Sequence, residues 1–330
     1  MKGNSLPSMA DDLPAVVKAI KKGRTFFLAG HQNPDGDTIG CGLCMASVLR
    51  RMGKKAFIFS TDPIPANLQF LPGVKKIAVG KLPSRRAYDV VLLMECSSPS
   101  RAGDIGDILE KAGEVVNIDH HRTFEPYGDV NYVVPTASST AELVAGLLAR
   151  MGVKLTSDEA TCLYTGVATD TGRFHYPSTT GKTMRMAAGL LEAGAEAAKV
   201  NTLVYSTKPL AAVKLLGRAL ENLVIAEGGK AAITRLTAAD FKDCAAQSQH
   251  TEDIVNYGLM VPGTEVSVLF REEPEKGRTA VNFRSKGRVD VSRIAKMFGG
   301  GGHKNAAGLK SSLPLNEIEK KVLAALRKEF

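Results

Sequence analysis

The sequence lacks several features that mark whole classes of protein. No apolar run among its 330 residues reaches the ~18 residues that a membrane-spanning helix needs. The stretch Met1 to Met9 has no apolar core, so we expect a flexible lead-in there and not a secretory signal. Internal repeats and low-complexity segments are absent too. These absences favour a globular protein that acts away from membranes.

Cysteine is also scarce. The five cysteines are odd in number, and the motif Cys41-x-x-Cys44 has no second pair that would complete a zinc site. Both residues fall in an apolar helical stretch, so we expect buried free thiols and not metal ligands. This use of cysteine is typical of a reducing compartment and predicts a cytoplasmic protein.

The remaining composition is that of an ordinary globular protein. Hydrophobic residues make up 44% and charged residues 23% of the chain, and the length is sufficient for two domains with their own cores. The 43 lysines and arginines against 34 acidic residues give a net charge of +9. That charge favours an anionic substrate, although basic surfaces are often only solvated.

Strands alternate with helices over the first part of the chain. Apolar strands are predicted at 25–29, 56–60, 89–94 and 114–118. Helices are predicted between and after them, at 11–22, 38–52, 105–112, 139–151 and 156–170, the last two beginning with capping boxes. This alternation predicts an α/β fold in which helices cover both faces of a parallel sheet.

The pattern changes after about residue 190. Helical stretches at 195–205 and 209–221 indicate a connector. Two hairpins follow, at 222–235 and 265–284, and two further helices close the chain. We therefore predict a first domain over residues 1–190, a helical connector over 191–215, and a smaller α/β domain with a mixed sheet over 216–330.

Polar residues at the ends of the predicted strands define a candidate site. Asp119-His120-His121 follows the strand at 114–118. Because α/β sheets bind ligands at the carboxyl ends of their strands, this position favours a site over a solvated turn. Other segments bring further carboxylates and imidazoles to the same edge: His31, Asp35, Asp37, Glu95 and Asp170.

This mixture of side chains is typical of sites for divalent transition metals such as Mn²⁺. His31 and Asp35 are four residues apart across an Asn-Pro turn and can face one point, whereas Asp37 can reach a second. Crowded carboxylates repel one another without cations. Two metal ions ~3.5–4 Å apart would offset that repulsion and generate a hydroxide. Taken singly, Asp37 is equally well explained as a helix N-cap, and Asp170 as a loop residue.

Four motifs in this order resemble those of the DHH phosphoesterases and their associated C-terminal domain. They are His31-x-x-Pro34-Asp35-x-Asp37, Asp119-His120-His121, Ala168-Thr169-Asp170-Thr171-Gly172 and Gly299-Gly300-Gly301-Gly302-His303 with Ala306-Ala307-Gly308. The resemblance covers nearly the whole chain. Within the family the chain looks most like the nanoRNase and pAp-phosphatase group, through Arg173-Phe174, Asn256-Tyr257 and Asn282-Phe283-Arg284-Ser285-Lys286.

The resemblance implies a hydrolase with two divalent ions, Mn²⁺ first and Mg²⁺ or Co²⁺ as alternatives. His31 and Asp35 would hold one ion. The other would be held by Asp37, His120 and Asp170. Asp119 would support these ligands from behind, and His121 would contact the substrate phosphate. Glu95 stands where the family has a bridging aspartate, so metal preference and rate stay open at this position.

The C-terminal domain is expected to hold the nucleotide end of the substrate across a cleft. A glycine run lets backbone N–H groups approach an anion closely, although Gly299 also suits a plain helix end. Arginine can bind phosphate through two hydrogen bonds, and tyrosine can stack on a base. The residues expected to contact substrate are Arg101, His121, Tyr257, Arg284, Ser285, Gly300, Gly301, Gly302 and His303. Tyr257 is almost equally explained by a core position, and Arg101 equally by solvation.

The implied substrates are RNA oligonucleotides of about two to five nucleotides and 3′-phosphoadenosine 5′-phosphate (pAp). One alternative is a phosphodiesterase for cyclic dinucleotides such as c-di-AMP, or for their linear product pApA. A RecJ-type exonuclease and an inorganic pyrophosphatase fit less well, and a nucleotide-binding module without catalysis is supported by Glu95 alone. We expect no long duplex nucleic acid as a partner, and a homodimer is left open.

Overall fold

The computed structural model describes residues 12–121, 124 and 126–330. The chain divides into two compact units, the first ending at Thr207 and the second beginning at Lys208. This boundary falls within the segment 191–215 predicted as a connector, and the three-part division itself stays a prediction. The predicted lead-in, Met1 to Met9, lies outside the described residues.

A six-stranded parallel sheet forms the centre of the first unit. Its strands are β1 (Thr25–Ala29), β2 (Lys55–Ser60), β3 (Ala78–Val79), β4 (Val90–Met94), β5 (Val115–Asp119) and β6 (Val130–Val133). They are ordered β3-β2-β1-β4-β5-β6, with every neighbouring pair parallel. The chain winds outward in both directions from the pair β1 and β4. The crevice at the carboxyl ends of such a pair is where open α/β sheets bind ligands.

Helices pack on both faces of this sheet. The helices of the first unit are α1 (Leu13–Lys22), α2 (Gly36–Arg51), α3 (Gly106–Glu110), α4 (Thr140–Arg150), α5 (Ser157–Asp170), α6 (Gly181–Glu192) and α7 (Ala197–Val200). Of these, α5 packs on α2 and α4, and α6 and α7 pack on α5. Successive strand residues point to opposite faces, so the fully buried neighbours Phe26 and Phe27 belong to different hydrophobic clusters. The predicted parallel sheet with helices on both faces is confirmed.

The second unit contains a six-stranded mixed sheet. Its strands are β7 (Val224–Ala226), β8 (Ala231–Leu236), β9 (Val266–Glu273), β10 (Arg278–Ser285), β11 (Gly301–His303) and β12 (Ala306–Ser311). Strands β8 and β9 are parallel and the other neighbours antiparallel, in the order β11-β12-β10-β9-β8-β7. The helices are α8 (Leu210–Glu221), α9 (Ala238–Asp243), α10 (Ile254–Gly258), α11 (Val291–Met297) and α12 (Leu315–Leu326). The predicted mixed α/β architecture is confirmed.

The structure adds detail to two predicted segments. The helical stretch expected at 195–205 is the short α7 followed by a π-helix, Asn201–Ser206. Within the glycine run, Gly301–His303 forms the edge strand β11 against β12. Gly302 has φ of +138°, and a Cβ there would lie 2.5 Å from the carbonyl oxygen of Ala306, so strand pairing itself requires glycine at this position.

Two predictions drawn from absences are also tested. All five cysteines are buried and free, as expected. Among the helices that the structure describes, none is both long enough and apolar enough to cross a bilayer.

Candidate metal centre

The first group of site residues surrounds the start of α2. Asp35 is the N-cap, and its Oδ1 accepts a hydrogen bond from the Thr38 backbone N–H at 2.9 Å. The alternative that Asp37 caps this helix is therefore wrong. Asp37 lies in the first turn and is completely buried. The turn thus places the Asp35 carboxylate at the helix N-terminus and the Asp37 carboxylate in the buried interior.

His31 faces Asp35 across this loop. Its Nδ1 lies 2.7 Å from the carbonyl oxygen of Gln32, and its Nε2 lies 3.6 Å from Asp35 Oδ2. Because a carbonyl oxygen only accepts hydrogen bonds, Nδ1 carries the proton and Nε2 faces the carboxylate, as in metal-binding histidines. Burial alone would raise the pKa of Asp35, but the His31 imidazole and the Thr38 amide lower it to about 2.

Asp37 is held by donors from two helices. Its Oδ2 accepts from the Thr140 N–H at 2.7 Å, and its Oδ1 accepts from the Ala141 N–H at 2.9 Å and from Cys41 Sγ at 3.3 Å. Helix α5 passes close by, since a Cβ on Gly166 would lie 2.6 Å from Asp37 Oδ1. Burial, followed by the charges of Asp170 and Asp35, raises the pKa of Asp37 to about 8.

Glu95 follows β4 and is almost completely buried. Its backbone is left-handed, with φ of +61°, and its N–H donates to the Ile118 carbonyl at 3.1 Å. The carboxylate accepts a hydrogen bond from the Thr140 hydroxyl, and its Oε1 lies 3.5 Å from His120 Nε2. Burial and then the charge of Asp37 raise the pKa of Glu95 well above its ordinary value.

His120 lies between Glu95 and Asp170, the last residue of α5. Its Nδ1 donates to the Ala137 carbonyl at 3.2 Å, so Nε2 is left to face the carboxylates. That atom lies 3.2 Å from Asp170 Oδ2. Burial raises the pKa of Asp170 to about 6, against the opposing effect of His120.

Asp119 and His121 form a separate pair beside this cluster. His121 Nδ1 lies 2.7 Å from Asp119 Oδ1, which also accepts the backbone N–H groups of His120 and His121. The hydrogen bond that His121 donates to Asp119 raises the pKa of His121 in spite of burial. Arg101 Nη1 lies 3.4 Å from His121 Nε2. His121 and Arg101 therefore place two nitrogen-containing side chains next to the carboxylates.

Among the described residues, two groups of three side chains have donor atoms within 4.8 Å of one another: Asp37, His120 and Asp170, and Glu95, His120 and His121. The first is the set that the sequence resemblance implied. The second brings His121 within reach of a shared ion, beyond its expected phosphate contact. Carboxylates and imidazoles suit Mn²⁺, Mg²⁺ and similar ions, and crowding of buried carboxylates disfavours their joint ionisation without cations. These residues therefore fit a divalent metal.

The remaining candidates lie in the second unit. Tyr257 is half-buried in α10, and Arg284 Nη1 donates to the Phe283 carbonyl. The Ser285 hydroxyl is engaged in a turn, donating to the Val289 carbonyl at 2.7 Å and accepting from Gly287 N–H at 3.0 Å. His303 is exposed on β11, at the end of the run that contains Gly300, Gly301 and Gly302. Their roles toward substrate stay predictions.

Two contributors to the site escaped the sequence reasoning. Thr140 was interpreted only as part of a capping box, yet it contacts both Asp37 and Glu95. That box is half formed, since Ser139 caps α4 while the Glu142 carboxylate bonds to Ser138. Cys41 was interpreted as a core thiol, yet it donates to Asp37. The sequence did offer one signal, because Thr140 directly follows the N-cap of α4 and a helix start can lie at the edge of the sheet.

The raised carboxyl pKa values predict how stability depends on pH without metal. Asp37, Glu95 and Asp170 bind protons more tightly in the folded than in the unfolded state. The folding stability that their protonated forms contribute is therefore lost as pH rises from about 4 to about 8. The raised pKa of His120 acts in the same direction. A tenfold difference in proton affinity between the two states corresponds to about 1.4 kcal/mol, and each kcal/mol to roughly 2–4 °C in Tm.

We therefore expect the Tm of the chelator-treated protein to fall by several degrees between about pH 5.5 and about pH 8.5 in calorimetry. Asp37→Asn removes the carboxyl whose pKa is raised to about 8 and should flatten this slope. A Tm that rises over the same range would contradict the prediction.

Comparison with known proteins identifies matches over nearly the whole chain. Residues 25–167 match the sequence model described as "DHH family, N-terminal domain", and residues 228–330 match the "DHHA1 domain". The chain is 34% identical to the bifunctional oligoribonuclease and PAP phosphatase NrnA of Thermus thermophilus, covering 96% of this chain and 92% of that protein. The Bacillus subtilis protein of the same name is 29% identical over 89% of this chain and 91% of its own length.

A solved structure is similar over the same extent. The exopolyphosphatase-related protein from Bacteroides fragilis has a TM-score of 0.89 and 26% identity, covering 96% of both chains. Both domain models match in order, and the Thermus thermophilus protein is similar over nearly its full length. The chain therefore belongs to the DHH family and is a hydrolase.

Proposed function

We propose that this chain hydrolyses phosphate esters in RNA oligonucleotides of about two to five nucleotides and removes a phosphate from pAp. Both reactions would use two divalent ions, with Mn²⁺ preferred. The observation that carries the proposal is the convergence of Asp37, Glu95 and Asp170 on His120 at the carboxyl edge of the parallel sheet. The names of the NrnA relatives describe this pair of activities.

The proposed metal ligands come from four segments of the first unit: the loop and first turn at the start of α2, the end of β4, the end of β5 and the end of α5. His31 and Asp35 would hold one ion, and Asp37, His120 and Asp170 the other, with Glu95 between them. Such ions supply Lewis acidity to a phosphoryl group and make a water molecule nucleophilic at neutral pH. His31 and His120 suit this role because backbone carbonyls accept hydrogen bonds from their Nδ1–H groups, which orients Nε2 toward the carboxylates.

Other residues of the chain would bind the substrate phosphate. His121 is held by its hydrogen bond to Asp119, which raises the pKa of the imidazole. Arg101 lies beside it and adds a permanent charge. These two side chains next to a metal centre would bind a phosphate and orient the ester bond for attack. In the second unit we assign the nucleotide end to Tyr257, Arg284 and the segment ending in His303.

A substrate panel tests the proposal. Metal-stripped protein should be inactive, and added Mn²⁺ should restore hydrolysis of RNA dimers to pentamers and of pAp. Long single-stranded RNA should be cut much more slowly per end. The panel should also include c-di-AMP, linear pApA and pyrophosphate, each measured as an initial rate at equal concentration.

The outcome separates the proposal from its rivals. Preferred turnover of c-di-AMP or pApA would favour the cyclic-dinucleotide alternative, and equal rates per end on long RNA would favour an exonuclease. Full activity after exhaustive chelation, or no activity on any of these phosphate esters with Mn²⁺, would contradict the proposed function.

The second unit should contribute to binding more than to the chemical step. His303→Ala is expected to raise KM for pAp about tenfold with kcat little changed, the pattern expected for loss of uniform binding. His250→Ala is a matched control, since His250 accepts a hydrogen bond from Gln247 N–H in a separate turn of the same unit. Loss of bound metal in the His303 variant would show that its role is wrongly assigned.

A further inference from the structure

Both buried carboxylates of the metal centre contact the first residue of α4. The backbone N–H of Thr140 donates to Asp37 Oδ2 at 2.7 Å, and the next N–H, of Ala141, donates to Oδ1 at 2.9 Å. Asp37 is thus held through both oxygens against the positive end of the helix dipole. Side chains at position 140 do not alter these backbone donors.

The side chain of Thr140 makes the second contact. It is completely buried, and its hydroxyl donates to Glu95 Oε1. A hydrogen bond to the ionised carboxylate favours that charged form, in opposition to burial. The backbone of Glu95 is fixed as well, by its left-handed conformation and its bond to the Ile118 carbonyl. The position of the Glu95 carboxylate is therefore determined at both ends of its side chain.

Thr140 therefore contacts two carboxylates that come from different elements. Asp37 is on α2 and Glu95 follows β4, yet Thr140 binds the first through its N–H and the second through its hydroxyl. We propose that Thr140 is a positioning residue of the metal centre, whose hydroxyl sets the place of the Glu95 carboxylate and with it the affinity and preference for metals. This inference rests on the proposed function, in which Glu95 binds the ions.

Metal binding provides a test that does not depend on turnover. Metal-stripped full-length protein is titrated with Mn²⁺, and unbound Mn²⁺ is measured by electron paramagnetic resonance, with and without competing Mg²⁺. Thr140→Val keeps the shape and both backbone donors but removes the hydroxyl, so Kd should rise about 10- to 100-fold, whereas Thr140→Ser should stay within about twofold of wild type. The ratio of Mn²⁺ to Mg²⁺ affinity should change only in the valine variant.

Thr165 offers a matched control. It is as deeply buried as Thr140, and its hydroxyl donates to the Thr161 carbonyl within α5. Thr165→Val removes a hydroxyl from the same unit without touching either carboxylate, so it should bind Mn²⁺ as wild type does. If Thr140→Val does not fold, Thr140→Ala replaces it, since alanine removes the hydroxyl and introduces no new atoms.

A double-mutant cycle shows whether the hydroxyl acts through Glu95. The effect of Thr140→Val on Mn²⁺ affinity should be strongly reduced in a Glu95→Gln background. Unchanged affinity and preference in Thr140→Val, an equal loss in Thr140→Ser, or an effect that persists fully with Glu95→Gln would each overturn the inference. Wild-type protein that binds no divalent metal would instead overturn the proposed function, and the positioning role with it.

Discussion

Replacing His120 by alanine should reduce kcat by about 10³-fold or more, because a proposed metal ligand is lost and with it several kcal/mol of transition-state stabilisation. Each loss of about 1.4 kcal/mol lowers the rate tenfold. Its Nε2 lies between Glu95 and Asp170, and its ring is the one member common to both candidate metal groups. Removing it leaves the buried Glu95 and the partly buried Asp170 without their shared imidazole. Asp35→Ala should have an effect of similar size, through loss of the partner of His31.

The measurement is single-turnover hydrolysis of pAp with Mn²⁺, together with Mn²⁺ bound per protein. His250→Ala is the control, since this histidine lies in the second unit and bonds to Gln247. Circular dichroism and Tm show whether each variant is folded. A folded His120→Ala protein that keeps wild-type kcat would exclude His120 from the metal centre.

The second large effect is expected at Glu95. Glu95→Gln keeps the size of the side chain but removes the charge that would balance two cations, so activity should fall by about 10²-fold or more and metal binding should weaken. The amide is also a poorer acceptor for the Thr140 hydroxyl that bonds to this carboxylate. Activity on pAp and Mn²⁺ titration of the same preparations provide the measurement.

Two further variants make the Glu95 result specific. Glu159 is another buried glutamate, bonded to Arg51 and Ser47 at the opposite end of α5 from Asp170. Glu159→Gln should lower Tm without lowering kcat, because it touches no proposed ligand. Glu95→Asp should retain activity with an altered metal preference. A fully active Glu95→Gln enzyme would remove Glu95 from the site.

Local sequence was enough to predict the framework that carries the site. The strand predicted at 25–29 is β1, and the apolar runs at 89–94 and 114–118 correspond to β4 and β5 within one residue. These segments are buried on both faces, so they appear in the sequence as continuous apolar runs. Because the ends of such strands meet at one edge, the convergence of Glu95 and His120 followed from topology alone.

Contacts between distant segments were beyond that reasoning. The bond from Thr140 to Glu95 joins residues 45 positions apart, and nothing local to either residue indicates it. The left-handed backbone of Glu95 was equally hidden, since glutamate does not favour that conformation. The glycine run was interpreted only as backbone that can approach an anion closely, because the pairing of β11 with β12 depends on a partner strand that short, glycine-rich sequence does not reveal.

The close approach of α2 and α5 restricts how this site can evolve. A Cβ on Gly166 would lie 2.6 Å from Asp37 Oδ1, and one on Gly40 would lie 2.3 Å from the Cys162 carbonyl oxygen. Any substitution at either glycine therefore moves apart the helices that carry Asp37 and Asp170. We therefore expect that only glycine is tolerated at these two positions. Positions 95 and 140 differ from these glycines because they contact one another through their side chains, so a change of side-chain chemistry there can alter the metal centre directly.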